Sequence, residues 1–124
     1  MRVLALDYGS ARTGVAVSDP TGTIARPLVT VEAVGKPKGF ERLLEVIRGE
    51  DPERIVVGLP LTLRGERGEQ ARETEAFVDA LRGALAVPVE TYDERFTSVL
   101  ADGDDARAAA HLLANYLEWL GAAR

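Results

Sequence analysis

Apolar and polar residues form blocks along the first part of the chain that predict three strands. The first apolar run ends at Asp7, a short stretch of small and polar residues follows, and a second apolar run covers 14–18. Two such runs around a short turn predict an antiparallel pair of strands over 2–7 and 14–18. A third, β-branched run covers 24–31. Pro27 lies within it and indicates a sheet edge or a strand start, because proline has no N–H to donate.

The remainder of the chain alternates between helical and strand patterns. The apolar stripe that predicts the first helix consists of Phe40, Leu43, Leu44 and Ile47. Residues 54–59 then form a short apolar run, which is typical of a parallel strand buried on both faces. A polar loop over 60–69, a second helix, a strand over 88–92 and a last helix over about 104–120 complete the pattern. We therefore expect one α/β domain over 1–124 with the order β-β-β-α-β-α-β-α.

Composition narrows the class of protein. The chain has 124 residues, of which 46% are apolar and 28% are charged, as in a folded soluble domain. It contains no cysteine, which excludes a disulfide framework, a thiolate metal site and a thiol nucleophile. No apolar stretch could span a bilayer and no signal peptide pattern is present, so we expect a cytoplasmic protein without a membrane partner. The net charge of −5 argues mildly against a basic protein that binds nucleic acid without regard to its sequence.

Three acidic residues occur where the predicted strands and the last helix could bring them together. Asp7 ends the first strand and Glu94 follows the last one, and open α/β sheets build their sites at strand ends. A helical projection directs Asp105 toward the apolar stripe of the last helix and Asp104 toward solvent. Either residue could instead cap this helix, an alternative that suits Asp104 better than Asp105. The same projection places His111 on the polar side.

The chemistry of these residues predicts a site for a hard cation. An apolar strand cannot hold an ionised, unpaired aspartate without a large desolvation cost, so a cation or a helix N-terminus should lie near Asp7. Oxygen ligands without cysteine favour Mg²⁺ or Mn²⁺. Two such ions about 3.5–4 Å apart can activate water and stabilise the leaving oxygen in phosphodiester hydrolysis.

Five segments of the chain resemble, in order, the motifs of the YqgF (RuvX-like) family. They are Leu6-Asp7-Tyr8-Gly9, Arg12 through Asp19, Val57-Gly58-Leu59-Pro60, Asp93 through Ser98, and Asp105 through Tyr116-Leu117. The resemblance implies an α/β, RNase H-like fold, with a mixed central sheet, antiparallel first strands and helices packed on its faces. It also implies a metal-dependent nuclease of the two-metal-ion type acting on structured nucleic acid. The reactions implied are 5′-end processing of pre-16S rRNA, resolution of branched DNA such as Holliday junctions, or both.

The resemblance further assigns roles to individual residues. It implies that Asp7, Glu94 and Asp105 are both the catalytic residues and the ligands of Mg²⁺ or Mn²⁺. The residues that we expect to contact the substrate are Gly9, Arg12, Thr13, Arg64, Arg95 and Ser98. The glycines of these motifs could equally serve turn geometry alone. Arg95 could form a salt bridge with Asp93 or Glu90 instead of contacting a phosphate.

The connection between Glu94 and Asp105 departs from the family pattern. The family usually has a helix and a markedly basic segment there, whereas this chain has ten residues and no lysine. Ten extended residues cover up to about 33–36 Å, so Asp105 can still reach Asp7. The missing positive charge predicts weaker binding of nucleic acid than is usual in the family.

Two other functional classes fit parts of the sequence. A catalytically inactive RNase H-like module that binds nucleic acid or protein would agree with the short connection, but it would gain nothing from three clustered carboxylates. A phosphate-binding half of an actin-type or sugar-kinase ATPase also begins with Asp-x-Gly and a hairpin, but it needs a second lobe around the nucleotide. The sequence leaves open whether the protein is a monomer or a homodimer.

Overall fold

The computed structural model describes residues 1–59, 68–93 and 105–122. The elements in these ranges are β1 (Val3–Asp7), β2 (Arg12–Ser18), β3 (Ala25–Glu32), α1 (Pro37–Glu50), β4 (Arg54–Leu59), α2 (Glu69–Ala84), β5 (Val89–Asp93) and α3 (Asp105–Ala122). The predicted order of strands and helices is confirmed.

The strands form one mixed sheet in the order β3-β2-β1-β4-β5. β2 pairs antiparallel with both β1 and β3, whereas β4 pairs parallel with both β1 and β5. The interior of β4 is fully buried at Ile55, Val56 and Val57. An apolar run of this kind is expected of a strand that has helices over both faces.

β3 lies at the edge of the sheet, as Pro27 predicts. Pro27 pairs with Ala16, and the register between β2 and β3 shifts between Val15 and Ala16. The irregularity therefore falls where proline cannot donate a ladder hydrogen bond.

Successive side chains of β1 join two separate hydrophobic clusters, one on each face of the sheet. Leu4 and Leu6 belong to the cluster that contains residues of α1 and α2. Val3 and Ala5 belong to the cluster that contains residues of α3. Because side chains alternate along a strand, the same pattern indicates which face of the sheet Asp7 and Tyr8, at the polar end of β1, lie on.

Three details differ from, or add to, the sequence-based expectation. β2 begins at Arg12 and not at residue 14, because Arg12 and Thr13 continue the pairing with β3. Trp119 of α3 is 54% exposed, and its ring packs against those of Tyr92 and Tyr116. Among the helices of the described ranges, none combines the length and apolar character needed to cross a bilayer.

Candidate active site

Asp7 is the last residue of β1 and lies on the α3 side of the sheet. It follows Val3 and Ala5 in the alternation along the strand, and both of these pack against α3. Its register partner in β2 is Gly14. The carboxylate is therefore placed at the polar end of an otherwise buried strand, facing the beginning of the last helix.

Asp105, the first residue of α3, reaches the same place because the helix begins directly against Gly14. An added Cβ atom on Gly14 would lie 1.7 Å from the carbonyl oxygen of Asp105 and 2.8 Å from the amide nitrogen of Ala106. Only glycine permits this approach of helix to strand. Since Gly14 is the register partner of Asp7, the contact brings Asp105 beside the end of β1. The helical projection that turned Asp105 toward the sheet agrees with this placement.

The two carboxylates are electrostatically coupled. Burial, and secondly the negative charge of Asp105, raise the pKa of Asp7 from 3.8 to about 6. At neutral pH the site thus holds two like charges, one of them half-buried, which costs free energy unless a cation lies between them. This donor set fits Mg²⁺ or Mn²⁺, which bind carboxylate oxygens. Within 1–59, 68–93 and 105–122, no group of three or more His, Cys, Asp or Glu residues could hold a metal ion.

Arg12 lies at the rim of this acidic pair. Its Nε atom is 3.3 Å from Oδ2 of Asp105, and its side chain is 57% exposed. An ion pair this exposed contributes little to stability. A guanidinium has five N–H donors in a rigid fork, so Arg12 can contact Asp105 and a phosphate oxygen together.

Gly9 and Thr13 shape the turn between β1 and β2. Thr13 is fully buried, and its hydroxyl donates to the Gly9 carbonyl at 3.3 Å and accepts from the Gly9 N–H at 3.4 Å. An added Cβ atom on Gly9 would lie 2.4 Å from the carbonyl oxygen of Arg12. Both residues therefore have a positioning role in the turn. Their contact with substrate stays a prediction.

Five residues singled out in the sequence lie outside the described part of the chain. They are Arg64, Glu94, Arg95, Ser98 and Asp104. Glu94 directly follows β5, and Tyr92, two residues before it, packs with the cluster on the α3 side. The roles given to these residues stay predictions. His111 is exposed, as the projection predicts.

A contact between Tyr8 and Glu73 was not predicted from the sequence. The Tyr8 hydroxyl donates to Oε1 of Glu73 at 2.8 Å. Burial and this carboxylate raise the pKa of Tyr8 to about 12. Alternation along β1 does place Tyr8 on the face opposite Asp7, and Tyr8 packs against the α1–α2 cluster. No local pattern identifies Glu73, which is an exposed residue of α2.

A polar network between α3 and the parallel strands was also missed. The Tyr116 ring is buried, and its hydroxyl accepts from Nη1 of Arg54 at 2.7 Å and donates to Oε1 of Glu90. Arg54 also pairs with Glu90, at 3.7 Å. The network attaches α3 to β4 and β5 and so fixes the helix whose first residue is Asp105.

Solved structures confirm the RNase H-like fold. A Thermus thermophilus RuvC in complex with a Holliday junction substrate has a TM-score of 0.62 and 20% identity, with 98% of this chain and 96% of that chain covered. A fowlpox virus resolvase in complex with Holliday junction DNA has a TM-score of 0.62 and 12% identity, with 97% and 99% covered. At these identities the likeness shows the fold alone.

Curated relatives with the name "Putative pre-16S rRNA nuclease" are more similar in sequence. The relative from Chloroflexus aurantiacus is 47% identical over 100 residues, which cover 81% of this chain but only 65% of that protein. The one from Syntrophomonas wolfei is 38% identical, with 95% and 94% covered. That alignment extends over 133 positions, more than the 124 residues of this chain, so the relative has residues that this chain lacks. The profile of the RuvX family, described as Holliday junction resolvase, matches residues 1–119. The chain belongs to the RuvX family.

Proposed function

We propose that this chain is a metal-dependent nuclease that hydrolyses phosphodiester bonds of structured nucleic acid. The observation that carries the proposal is the convergence of Asp7 and Asp105 at the end of β1, where Gly14 lets α3 approach the sheet. The description of the family and the name of the curated relatives support the proposal. So does the raised pKa of Asp7, because perturbed carboxylates cluster at functional sites.

In this proposal Asp7 and Asp105, together with Glu94, hold two Mg²⁺ or Mn²⁺ ions. Each of these three carboxylates would serve as a ligand through its oxygens. The position of Glu94 immediately after β5 supports its inclusion. Two such ions would lower the pKa of a water molecule and stabilise negative charge on the leaving oxygen.

The protein's own side chains would orient the reacting groups. Glu94 and Asp105 would accept hydrogen bonds from the attacking water and so direct its lone pair at the phosphorus. Arg12, whose guanidinium already lies at the rim of the acidic pair, would donate to a non-bridging phosphate oxygen. The Thr13–Gly9 hydrogen bonds would keep the turn that carries Arg12 in place. Arg64, Arg95 and Ser98 complete the proposed contacts with substrate.

We further propose precursor 16S rRNA as the first substrate to test and branched DNA as the second. The name of the curated relatives supports the RNA, and the family description supports the DNA. One continuous sheet carries every described strand, which supports a single nuclease domain over residues 1–124. A cytoplasmic location is proposed with this function.

A binding module without catalysis is the second candidate. The short connection between Glu94 and Asp105 favours a loss of catalysis, since it lacks the helix and the basic segment that are usual in the family.

A cleavage assay separates the two candidates. End-labelled structured RNA with a 16S precursor 5′ end and a four-way DNA junction would be incubated with Mn²⁺, Mg²⁺ or EDTA. Wild type would be compared with Asp7→Asn. Metal-dependent products that the variant does not form are the expected result. Binding of either polymer without cleavage in any metal would assign the chain to the binding module.

A further inference from the structure

A cavity of about 420 Å³ opens beside Tyr8, on the opposite face of the sheet from Asp7. Three of its walls are the rings of Tyr8, Phe40 and Phe77. The centroids of Tyr8 and Phe77 are 4.6 Å apart, and the Phe40 ring stands edge-on to Phe77 at 6.5 Å. Exposed alanines of α2, Ala76 and Ala80, line another wall. The volume falls in the range of small-ligand sites, which begins at about 300 Å³.

Two charged residues give this apolar cavity a polar rim. Glu73 lines the cavity and accepts a hydrogen bond from the Tyr8 hydroxyl. An ionised carboxylate has about four acceptor sites, so Glu73 can accept further N–H groups without losing Tyr8. Lys36, an exposed residue just before α1, also lines the cavity and presents an ammonium group. A ligand that fits has a flat aromatic body, N–H groups on its edge and a nearby negative charge.

We propose that this cavity binds one unstacked nucleobase of the nucleic-acid substrate. This base would neighbour the phosphate that lies at the Asp7 site. Single-stranded bases commonly stack on aromatic side chains while their edges form hydrogen bonds. The base would lie against the rings, its edge N–H groups would donate to Glu73, and Lys36 would contact the adjoining phosphate. The inference deepens the proposed function and rests on it for the identity of the polymer.

The connection to the active site is a direct one along the backbone. Asp7 and Tyr8 are consecutive, with Cα atoms about 3.8 Å apart, and their side chains leave opposite faces of the sheet. A polynucleotide that crosses the end of β1 can therefore place a phosphate at Asp7 and the neighbouring base beside Tyr8. Guanine carries two adjacent N–H donors on its Watson–Crick edge, which suits a carboxylate acceptor. We expect the cavity to prefer guanine.

Binding of mononucleotides tests this directly and needs no catalysis. Wild type with labelled alanine methyl groups would be titrated with guanosine or uridine 5′-monophosphate in EDTA and followed by NMR. The methyl signals of Ala76 and Ala80 should shift, while that of Ala114, an exposed alanine of α3, should not. Ala80→Leu fills the cavity and should weaken guanosine monophosphate binding at least about fivefold, whereas the matched substitution Ala114→Leu should not. Glu73→Gln should abolish the preference for guanine over uracil.

Several outcomes would overturn the proposal. They are an absence of shifts at saturating nucleotide, or equal affinity in wild type and Ala80→Leu. Shifts of the same methyl groups that depend on protein concentration alone would assign the cavity to a second copy of the chain. The outcome for the nuclease is separate. If Asp7→Asn binds nucleotide normally and no metal supports cleavage by wild type, the base site stands and the nuclease fails. If wild type cleaves RNA and Ala80→Leu does so with unchanged KM, the base site alone fails.

Discussion

The backbones of Gly14 and Asp105 are in direct contact, which is possible only because Gly14 has no side chain. A Cβ atom at position 14 would lie 1.7 Å from the Asp105 carbonyl oxygen, about half of an ordinary non-bonded separation. The obstacle is backbone, which cannot rotate away as the end of a flexible side chain can. Strand β2 thereby determines how closely the start of α3 approaches Asp7.

Gly14→Ala should therefore reduce both stability and activity. We expect a loss of at least about 2 kcal/mol in the free energy of unfolding, because overpacking against backbone forces the helix away from the sheet. Cleavage should fall further than the unfolded fraction explains, since Asp105 moves with the helix. Urea unfolding and the RNA cleavage assay measure the two effects. Gly83→Ala is the matched control: an added Cβ there meets nothing within 4 Å, and helix propensity predicts a gain of up to about 1 kcal/mol.

Asp7→Asn should stabilise the metal-free protein at neutral pH. The folded-state pKa of Asp7, about 6, is higher than its ordinary value of 3.8. The stabilising contribution of the protonated aspartic acid is therefore complete below pH 3.8 and is lost as the pH rises through 6. As the pH falls from 8 to 4, the free energy of unfolding of the wild type should rise by about 1–3 kcal/mol relative to that of Asp7→Asn. This range allows for the partial exposure of the carboxyl group, which weakens the effect. Urea unfolding in EDTA at several pH values measures this. A difference independent of pH would contradict the assignment.

Divalent metal should stabilise the wild type through Asp105 and not through Asp104. Ions that bind only the folded state raise the melting temperature, by an amount that grows with the ratio of metal concentration to Kd. We expect Mg²⁺ or Mn²⁺ to raise the Tm of wild type and of Asp104→Asn, and to leave Asp105→Asn nearly unchanged. Cleavage should follow the same order. Loss of both responses in Asp104→Asn alone would reverse the choice between these neighbouring residues.

Substitution of Arg12 should weaken substrate binding while the fold stays intact. The ion pair with Asp105 is exposed, so Arg12→Gln should change the free energy of unfolding by less than about 1 kcal/mol. A plot of log K against log salt concentration has a negative slope, and the loss of one phosphate contact should make this slope shallower by about 0.7–0.9. Binding to RNA in the Asp7→Asn background, measured at several salt concentrations, tests this. Arg48→Gln, an exposed arginine of α1, should leave the slope as it is.

Tyr116→Phe should lower stability without removing the aromatic packing. Its ring lies edge-on to Tyr92 with centroids 5.7 Å apart, and phenylalanine keeps that contact. The lost hydroxyl leaves Arg54 and Glu90 without their shared partner, at a cost of about 1–2 kcal/mol. A double-mutant cycle with Glu90→Gln should show a stabilising coupling energy between the Tyr116 hydroxyl and the Glu90 carboxylate. Strict additivity would mean that the hydroxyl contributes nothing to anchoring α3.

Local patterns predicted the parts of the structure that depend on one element at a time. Pro27 indicated an edge strand because a missing N–H is a property of the residue itself. Helical spacing turned Asp105 toward the sheet, since the stripe of α3 is visible in its sequence. The family motifs predicted that Asp7, Glu94 and Asp105 share one site; the structure brings Asp7 and Asp105 together, and Glu94 lies outside the described residues.

The remaining features depend on pairs of elements that are distant in sequence. The contact of Gly14 with Asp105 and the hydrogen bond of Tyr8 with Glu73 exist only once a helix has packed against the sheet. Glycine at position 14 is compatible with an ordinary turn or strand, so nothing nearby distinguishes it. The cavity between Phe40 and Phe77 likewise arises from the packing of two helices whose stripes, read separately, indicate only a core.

Because Asp7 ends β1 and Asp105 begins α3, the acidic pair can form only after the chain has been synthesised as far as α3. A nascent polypeptide that carries only the first strands has Asp7 without Asp105, so it lacks the proposed metal site.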